Sequence, residues 1–225
     1  MSSPRSSSSL SAVERLAKLS TCVVADAMVE LRMRCHLVGV EQAQGYDAPL
    51  GVSICGPALT VKLVPTTGAR LGSNLDDYVS KARAGQVVVI NAPDGCTKSV
   101  FGGMLATMSK MKGVAGVVTD GRVGDVRELC AMNFPAFSTG TSMFYYPGAV
   151  AEVNTPIVLA GRLVRHNDII HGDMNGVIVI PAERAEEVAT RAETLEDQDN
   201  QISQALYAGE SLQRCLDRLR SPLET

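Results

Sequence analysis

The sequence predicts an α/β fold with a parallel βαβαβ segment, a compact β-rich second half and a long C-terminal helix. Three observations predict it. Short apolar runs at 87–90, 114–119 and 135–138 alternate with helical patterns across short connections, which forces parallel pairing and right-handed crossovers. After Gly140 the pattern changes to closely spaced strand-like runs punctuated by Gly161, Gly172 and Gly176. Pro181 then opens a polar helical stretch over 182–208 that stops at Gly209.

Each element follows in order. Ser11 and Glu14 have capping-box spacing, in which hydroxyl and carboxylate satisfy each other's exposed backbone N–H groups. Residues 13–19 and 22–33 read as two short helices, and 55–64 (CGPALTVKLV) as a strand rich in β-branched residues. A helix over 75–84 ends at Gly85. The apolar run 87–90 suits a strand buried on both faces. Residues 91–98 (NAPDGCTK) form a loop. A helix over 99–112 then places Val100, Phe101, Met104, Leu105, Met108 and Met111 on one face, expected to pack in the core. Gly113 ends that helix, 114–119 is a strand, 120–125 a turn, 126–132 a short helix and 135–138 a strand. The second half offers strands at 156–159, 162–165, 168–171 and 176–180, expected as a β layer packed on the α/β half. A shorter helix to Leu219 follows the long one.

Composition narrows the function. The chain has 225 residues, 45% hydrophobic and 20% charged, so a wholly disordered protein is excluded. A net charge of −3, no tryptophan and 4% aromatics leave neither a basic footprint nor a stacking platform for nucleic acid. No apolar run reaches membrane-spanning length. Residues 1–10 are a Ser-rich tail, expected to be disordered, and 11–225 a single domain. One Arg and no amphipathic stretch make a poor transit peptide, so the expected location is the cytoplasm. The six cysteines form no C-x-x-C pair and are expected as reduced, mostly buried thiols. Cys96, in a polar loop, is the one candidate nucleophile among them.

None of the common cofactor or nucleophile fingerprints is present. The three histidines, His36, His166 and His171, lie far apart, and His171 sits in a strand-like run that suits a structural role. Carboxylates are therefore the expected metal ligands, which favours a hard ion such as Mg²⁺ or Mn²⁺. The informative segment is 101–125. Gly102, Gly103, Met104 and Leu105 lie near a helix start, where glycines admit a ligand to the backbone and free N–H groups bind anions. Residues 119–125 (TDGRVGD) follow directly after a buried strand, the end at which α/β sheets bind ligands. Asp120, Arg122 and Asp125 at such an edge suit a cation and an anionic substrate. A solvated turn with Asp125 capping the next helix is the other reading of the same residues.

The chain resembles the family that contains the regulator of ribonuclease activity A and the class II 4-hydroxy-4-methyl-2-oxoglutarate aldolases. The resemblance rests on 21–28 (TCVVADAM), 56–61 (GPALTV), 84–90 (AGQVVVI), 102–105, 117–125, 134–137 with Gly140, and 172–181 (GDMNGVIVIP), in that order and spacing. It implies a swivelling-domain-like α/β core and a ring-shaped homotrimer or hexamer with sites between subunits. It also implies a divalent metal cation (Mg²⁺ or Mn²⁺) and backbone amides that bind a pyruvyl group while a carbon–carbon bond breaks to an enolate. Catalytic members cleave 4-hydroxy-2-oxo acids and often decarboxylate oxaloacetate.

Carried over, the resemblance puts the backbone donors at Gly102, Gly103, Met104 and Leu105 and the metal-binding acid at Asp125. Asp120 and Gly121 match the Asp-Gly that precedes it. Glu196 or Asp199, in the long helix, is the acid that would approach a neighbour's metal. Two positions depart. Catalytic members carry Arg immediately before the metal-binding Asp, where this chain has Gly124. They often carry an acid where it has Gly103. Losing an Arg removes a bidentate carboxylate clamp, and Arg122, two residues earlier, is the candidate replacement. Three functions are therefore expected in turn. The first is a metal-dependent lyase on a small 2-oxo acid, with Arg122 and Asp120 as catalytic residues. The second is the same scaffold redirected to another small-molecule, biosynthetic reaction. The third is a non-catalytic regulator that binds a ribonuclease or helicase.

Overall fold

The protein is described from a computed structural model over residues 10–43, 52–65 and 75–220. The Ser-rich stretch 1–9 lies outside the described residues. Helix α1 (Ala12–Leu16) opens on the expected capping box: Ser11 N–H donates to the Glu14 carboxylate at 2.8 Å, and the Ser11 hydroxyl accepts from Glu14 N–H. Helix α2 (Thr21–Glu30) is capped by Ser20. Then follow β1 (Glu41–Gln42), β2 (Ile54–Val64), α3 (Leu75–Lys81), β3 (Val87–Asn91), β4 (Ser99–Phe101), α4 (Gly103–Met111), β5 (Gly116–Thr119) and β6 (Arg122–Val123). Next come α5 (Val126–Ala131), β7 (Ala136–Ser138), β8 (Ala149–Val153), β9 (Ile157–Leu159), β10 (Arg162–Val164), β11 (Ile169–Asp173) and β12 (Gly176–Ile180). A 3-10 turn (Ala182–Arg184) leads into α6 (Ala185–Tyr207), and α7 (Leu212–Leu219) closes the described chain.

The main sheet runs β1-β7-β5-β3-β2-β11-β12, with β8 also paired to β2. The β3–α4–β5–α5–β7 stretch is the predicted parallel unit, with β3·β5 and β5·β7 both parallel. Strand β2 is the hub, parallel to β3 and antiparallel to β8 and β11. Side chains of β3 alternate between two faces. Val88 and Ile90 join a core with Tyr78, Phe101 and Leu129, while Val87 and Val89 join one with Ile157, Leu159 and Val164. Burial on both faces is why this strand reads as an unbroken apolar run. A third core packs α1, α2 and α6 against Ile169, Ile178 and Ile180. Among the described residues no helix is long and apolar enough to cross a membrane.

Several expectations are corrected. The helix expected over 99–112 begins only at Gly103; Ser99–Phe101 is strand β4, parallel to a second unexpected strand, β6, inside the expected turn. The apolar stripe is therefore not one core face. Met104 and Met111 are 78% and 84% exposed, and the helix buries Gly103, Ala106 and Ser109 instead. The second half is not a separate layer: β8, β11 and β12 continue the main sheet through β2, and only the β9–β10 hairpin stands apart. Strand β8 (AVAEV), paired to β2, is not among the expected strands. All six thiols are free, but only Cys215 is buried; Cys22 is exposed and the others half-buried.

Candidate functional site

The site grows from the meeting of α4 and the turn before α5. Gly102 is extended backbone and no side chain caps the helix it precedes. The first amide N–H groups of a helix have no intrahelical acceptor. That of Gly103 donates to Asp125 Oδ2 at 2.8 Å, across 22 residues of sequence. Those of Met104 and Leu105 follow in the same turn.

Asp125 reaches Gly103 with its carboxylate, from an unusual backbone conformation. It stands at the N-cap of α5 in the left-handed region, φ 53° and ψ 37°, and its side chain makes no bond to its own helix. Asp tolerates this region better than most residues, yet a non-glycine there carries strain that the surroundings must hold. The capping reading of Asp125 is thus half right: the residue starts α5, but its carboxylate serves α4. Both glycines leave room for side-chain tips from the α5 side. A Cβ on Gly102 would come within 2.6 Å of Asp125 Oδ2, and one on Gly103 within 2.0 Å of Glu128 Oε2. Glu128 was not anticipated from sequence. It lies one turn into α5, and only the folded crossing of α4 and α5 brings it to Gly103.

The β4–β6 ribbon sets the floor. Gly124 N–H donates to Phe101 O at 2.9 Å and Val123 N–H to Gly140 O at 3.1 Å. A Cβ on Gly124 would stand 3.0 Å from Ser99 Oγ and 3.2 Å from Ser142 O. Ser99 and residue 142 therefore line the space beside Gly124. The Arg122 guanidinium turns instead to the neighbouring loop, donating to Thr141 O at 3.0 Å.

Asp120 has other partners. It accepts from Ala92 N–H at 2.7 Å and Asn91 Nδ2 at 2.9 Å, with a further backbone bond from Ala160. Burial pushes its carboxyl above the usual range, and these hydrogen bonds oppose the shift. The structure does not bring Asp120 and Asp125 to a shared partner. Glu196 is half-buried on α6, whose main contacts are α1, α2, α7 and the 3-10 turn. Among the described residues no three His, Cys, Asp or Glu side chains gather as a metal site. His171 is fully structural: its ring nitrogens face Ile54 O at 3.1 Å and Leu19 O at 3.0 Å, inside the sheet.

A cavity of ≈110 Å³ opens beside the start of α4, lined by Gly102, Met104 and Asp125 together with Leu63, Phe101 and Tyr146. Tyr146 is fixed by its N–H bond to Ser99 O at 2.7 Å and by lying against Gly148, where a Cβ would clash with the ring. Tyr145 and Tyr146 carry no sequence signal for this role, because they reach the cavity from more than thirty residues beyond α4.

The sequence pattern of the RraA-like family, described as Aldolase/RraA, matches residues 21–179. A protein of Halalkalibacterium halodurans named as a candidate 4-hydroxy-4-methyl-2-oxoglutarate aldolase is 34% identical over 156 residues, covering 68% of this chain and 71% of that one. The crystal structure of Streptomyces coelicolor RraAS2, described as an unusual member of the RNase ES inhibitor RraA family, superposes with TM-score 0.74 at 26% identity. It covers 84% of this chain and 94% of that one. A Pseudomonas syringae protein shares the fold at TM-score 0.80 and 24% identity, over 91% of this chain and 96% of that one. The matched span holds every element of the candidate site from β2 to α5, so this chain belongs to the RraA-like aldolase/RraA family.

Proposed function

We propose that this chain is a divalent-cation-dependent lyase that acts on a 2-oxo acid, by aldol cleavage or β-decarboxylation through a pyruvate enolate. The observation that carries the reading is the left-handed Asp125, whose carboxylate stands over the open start of α4 at the mouth of a cavity. Relatives named as aldolases support lyase chemistry at the level of the family.

The donor set fits a hard ion. Asp125 and Glu128 are exposed carboxylates, and among the described residues neither thiol nor imidazole gathers with them. Mg²⁺ is commonly held by one or two carboxylates, with waters and substrate completing its shell. When bound, such an ion supplies Lewis-acid polarisation of the substrate carbonyl and stabilises charge as the enolate develops. The chain's own residues do the rest. The Met104 and Leu105 amides, with Gly102 and Gly103 keeping the approach clear, receive the substrate carboxylate. Arg122, swung from its bond to Thr141 O, adds fixed positive charge to the substrate carboxylate. Asp120 holds the turn that carries Arg122, through Ala92 and Asn91. Glu196 completes the site from a neighbouring copy in a homotrimer or hexamer. Exposed Met104, Phe144 and Tyr145 next to the cavity support such burial between copies.

Gly124 favours a second reading, in which the chain is a regulator that binds a ribonuclease or helicase, since no arginine stands directly before Asp125. One experiment separates the two. Purified protein with Mn²⁺ is offered 4-hydroxy-4-methyl-2-oxoglutarate and oxaloacetate, and pyruvate is followed with a coupled dehydrogenase. Turnover that is lost on chelation supports the lyase. No pyruvate above background, with capture of a ribonuclease, supports the regulator.

A further inference from the structure

We infer that Asp120 is a positioning residue that sets where the Asp125 carboxylate and the start of α4 meet. The inference deepens the lyase reading above, and its geometric half stands without that reading. Two arms of chain leave the carboxyl ends of the parallel strands β3 and β5. One runs from β3 through Ala92 and β4 to the start of α4. The other runs from β5 through Asp120 and β6 to Asp125. At each end of the pair, an aspartate on the second arm accepts a backbone N–H from the first. Asp120 Oδ1 accepts from Ala92 N–H at 2.7 Å, and Asp125 Oδ2 accepts from Gly103 N–H at 2.8 Å. Between these two ties the arms pair as the β4–β6 ribbon, Ser99 beside Arg122 and Phe101 beside Val123.

The ribbon is short and stands outside the main sheet. A two-stranded ribbon is marginal by itself, so the ties at its ends matter to its placement. The 140–146 loop supports its middle, with Val123 N–H on Gly140 O and Tyr146 N–H on Ser99 O. Of the two end ties, Asp125 is exposed and Asp120 half-buried.

More donors reach Asp120. Asn91 Nδ2 donates to its Oδ2 at 2.9 Å, and the Ala160 amide donates to it as well. Ala160 is left-handed, φ 47°, in the β9–β10 turn, a conformation that its surroundings must hold. Asn91 also donates to Val158 O at 2.9 Å. One carboxylate thus fastens both arms to the hairpin. The arms are in close contact beside it, since a Cβ on Gly121 would come within 2.8 Å of Ala92 Cβ. Both oxygens of Asp120 are used, so an amide in its place must turn its own N–H groups on a donor.

Asp120→Asn tests the inference, beside Asp173→Ala. Asp173 is also half-buried and multiply bonded, to Thr21 and Asn175, but belongs to neither arm. Hydrogen exchange read by mass spectrometry follows residues 99–105, and calorimetry follows the binding of Mn²⁺ alone. Asp120→Asn is expected to speed exchange at the start of α4 by about ten-fold or more, through easier local opening. It is expected to weaken Mn²⁺ binding by about ten-fold, the scale on which groups behind a ligand act. Asp173→Ala is expected to lose stability yet keep both readings at wild-type values. Should Asp120→Asn not fold, Asn91→Ala, which strips only the Oδ2 bond, decides on the same readings. Wild-type exchange over 99–105 in the Asp120 variant, or equally fast exchange in Asp173→Ala, overturns the inference. So does unchanged Mn²⁺ affinity, where the wild type binds the ion. Failure of the lyase reading looks different: the wild type then releases no pyruvate from a 4-hydroxy-2-oxo acid and binds no Mn²⁺, and exchange alone decides.

Discussion

The amide of Gly103 and the carboxylate of Asp125 meet at 2.8 Å, joining the start of α4 to the turn that starts α5. This bond turns two ordinary helix beginnings into one site. Asp125 neutralises one exposed donor of α4 and leaves the next amides of the turn facing the cavity mouth. The left-handed backbone of Asp125 is what aims its carboxylate at the neighbouring helix instead of its own.

Two glycine substitutions separate a flexible contact from a rigid one. Gly103→Ala places a Cβ 2.0 Å from Glu128 Oε2, the tip of an exposed side chain that can swing away. Its stability is expected to change by less than about 1 kcal/mol, helped by the helix preference for Ala. Gly56→Ala places a Cβ 2.1 Å from the backbone oxygen of Gly85, where the sheet must shift. A loss of about 3 kcal/mol or more is expected, at the upper end of overpacking costs. Urea unfolding of the two variants checks the ordering.

Gly124→Arg tests how much room the fold leaves for a long side chain directly before Asp125. Ser99 Oγ and Ser142 O stand 3.0 and 3.2 Å from the position of its Cβ. The single variant is expected to lose about 1–2 kcal/mol through crowding. Adding Ser99→Ala should recover part of that loss, a non-additivity measured by a double-mutant cycle.

Arg122→Ala is expected to lower kcat/KM by about ten-fold or more, the scale of a lost charge-assisted contact to a carboxylate. Arg122→Lys should not restore it, because a point charge does not reproduce the planar fork. The bond to Thr141 O is at the surface, so both variants should keep the wild-type melting temperature to within a few degrees. Unchanged turnover would assign Arg122 to holding the 140–142 loop alone.

Stability should fall on the acid side through His171. Burial holds its imidazole below the usual range, outweighing the hydrogen bonds to Ile54 O and Leu19 O that favour the cation. Below about pH 6.5 the unfolded chain therefore binds the proton more readily than the folded one, and stability drops as pH falls through that window. His171→Gln should be less stable at about pH 7.5 yet lose less between about pH 7 and 5.5. Urea midpoints across that range check it.

Much of this architecture was legible in the residues. Val87 to Ile90 could only be a strand buried twice over, and the capping box at Ser11 and Glu14 fixed the first helix start. Legibility failed where tertiary contacts override local pattern. Val100 and Phe101 fit a helical stripe with Met104 and Met108, but they lie in β4, where Phe101 pairs with Val123 of β6, 22 residues away. Met104 and Met111 then turn outward, so an apolar face was read where small residues pack. At the site, the value of Asp125 was visible as an acid after a strand. Its partner Gly103, its left-handed backbone and the Glu128 contact depend on how α4 crosses α5, and no residue spacing encodes that crossing.

The account stands most directly on Asp125, and Asp125→Asn tests it. Asn keeps the shape, tolerates the left-handed backbone and can still accept from Gly103 N–H, but removes the charge. The measurement is pyruvate release from a 4-hydroxy-2-oxo acid with Mn²⁺ present, beside Mn²⁺ binding by calorimetry. The account predicts that the variant folds with a near-native melting temperature, loses about 100-fold or more in kcat/KM and binds Mn²⁺ at least about ten-fold more weakly. Wild-type turnover and wild-type Mn²⁺ affinity in Asp125→Asn would contradict it.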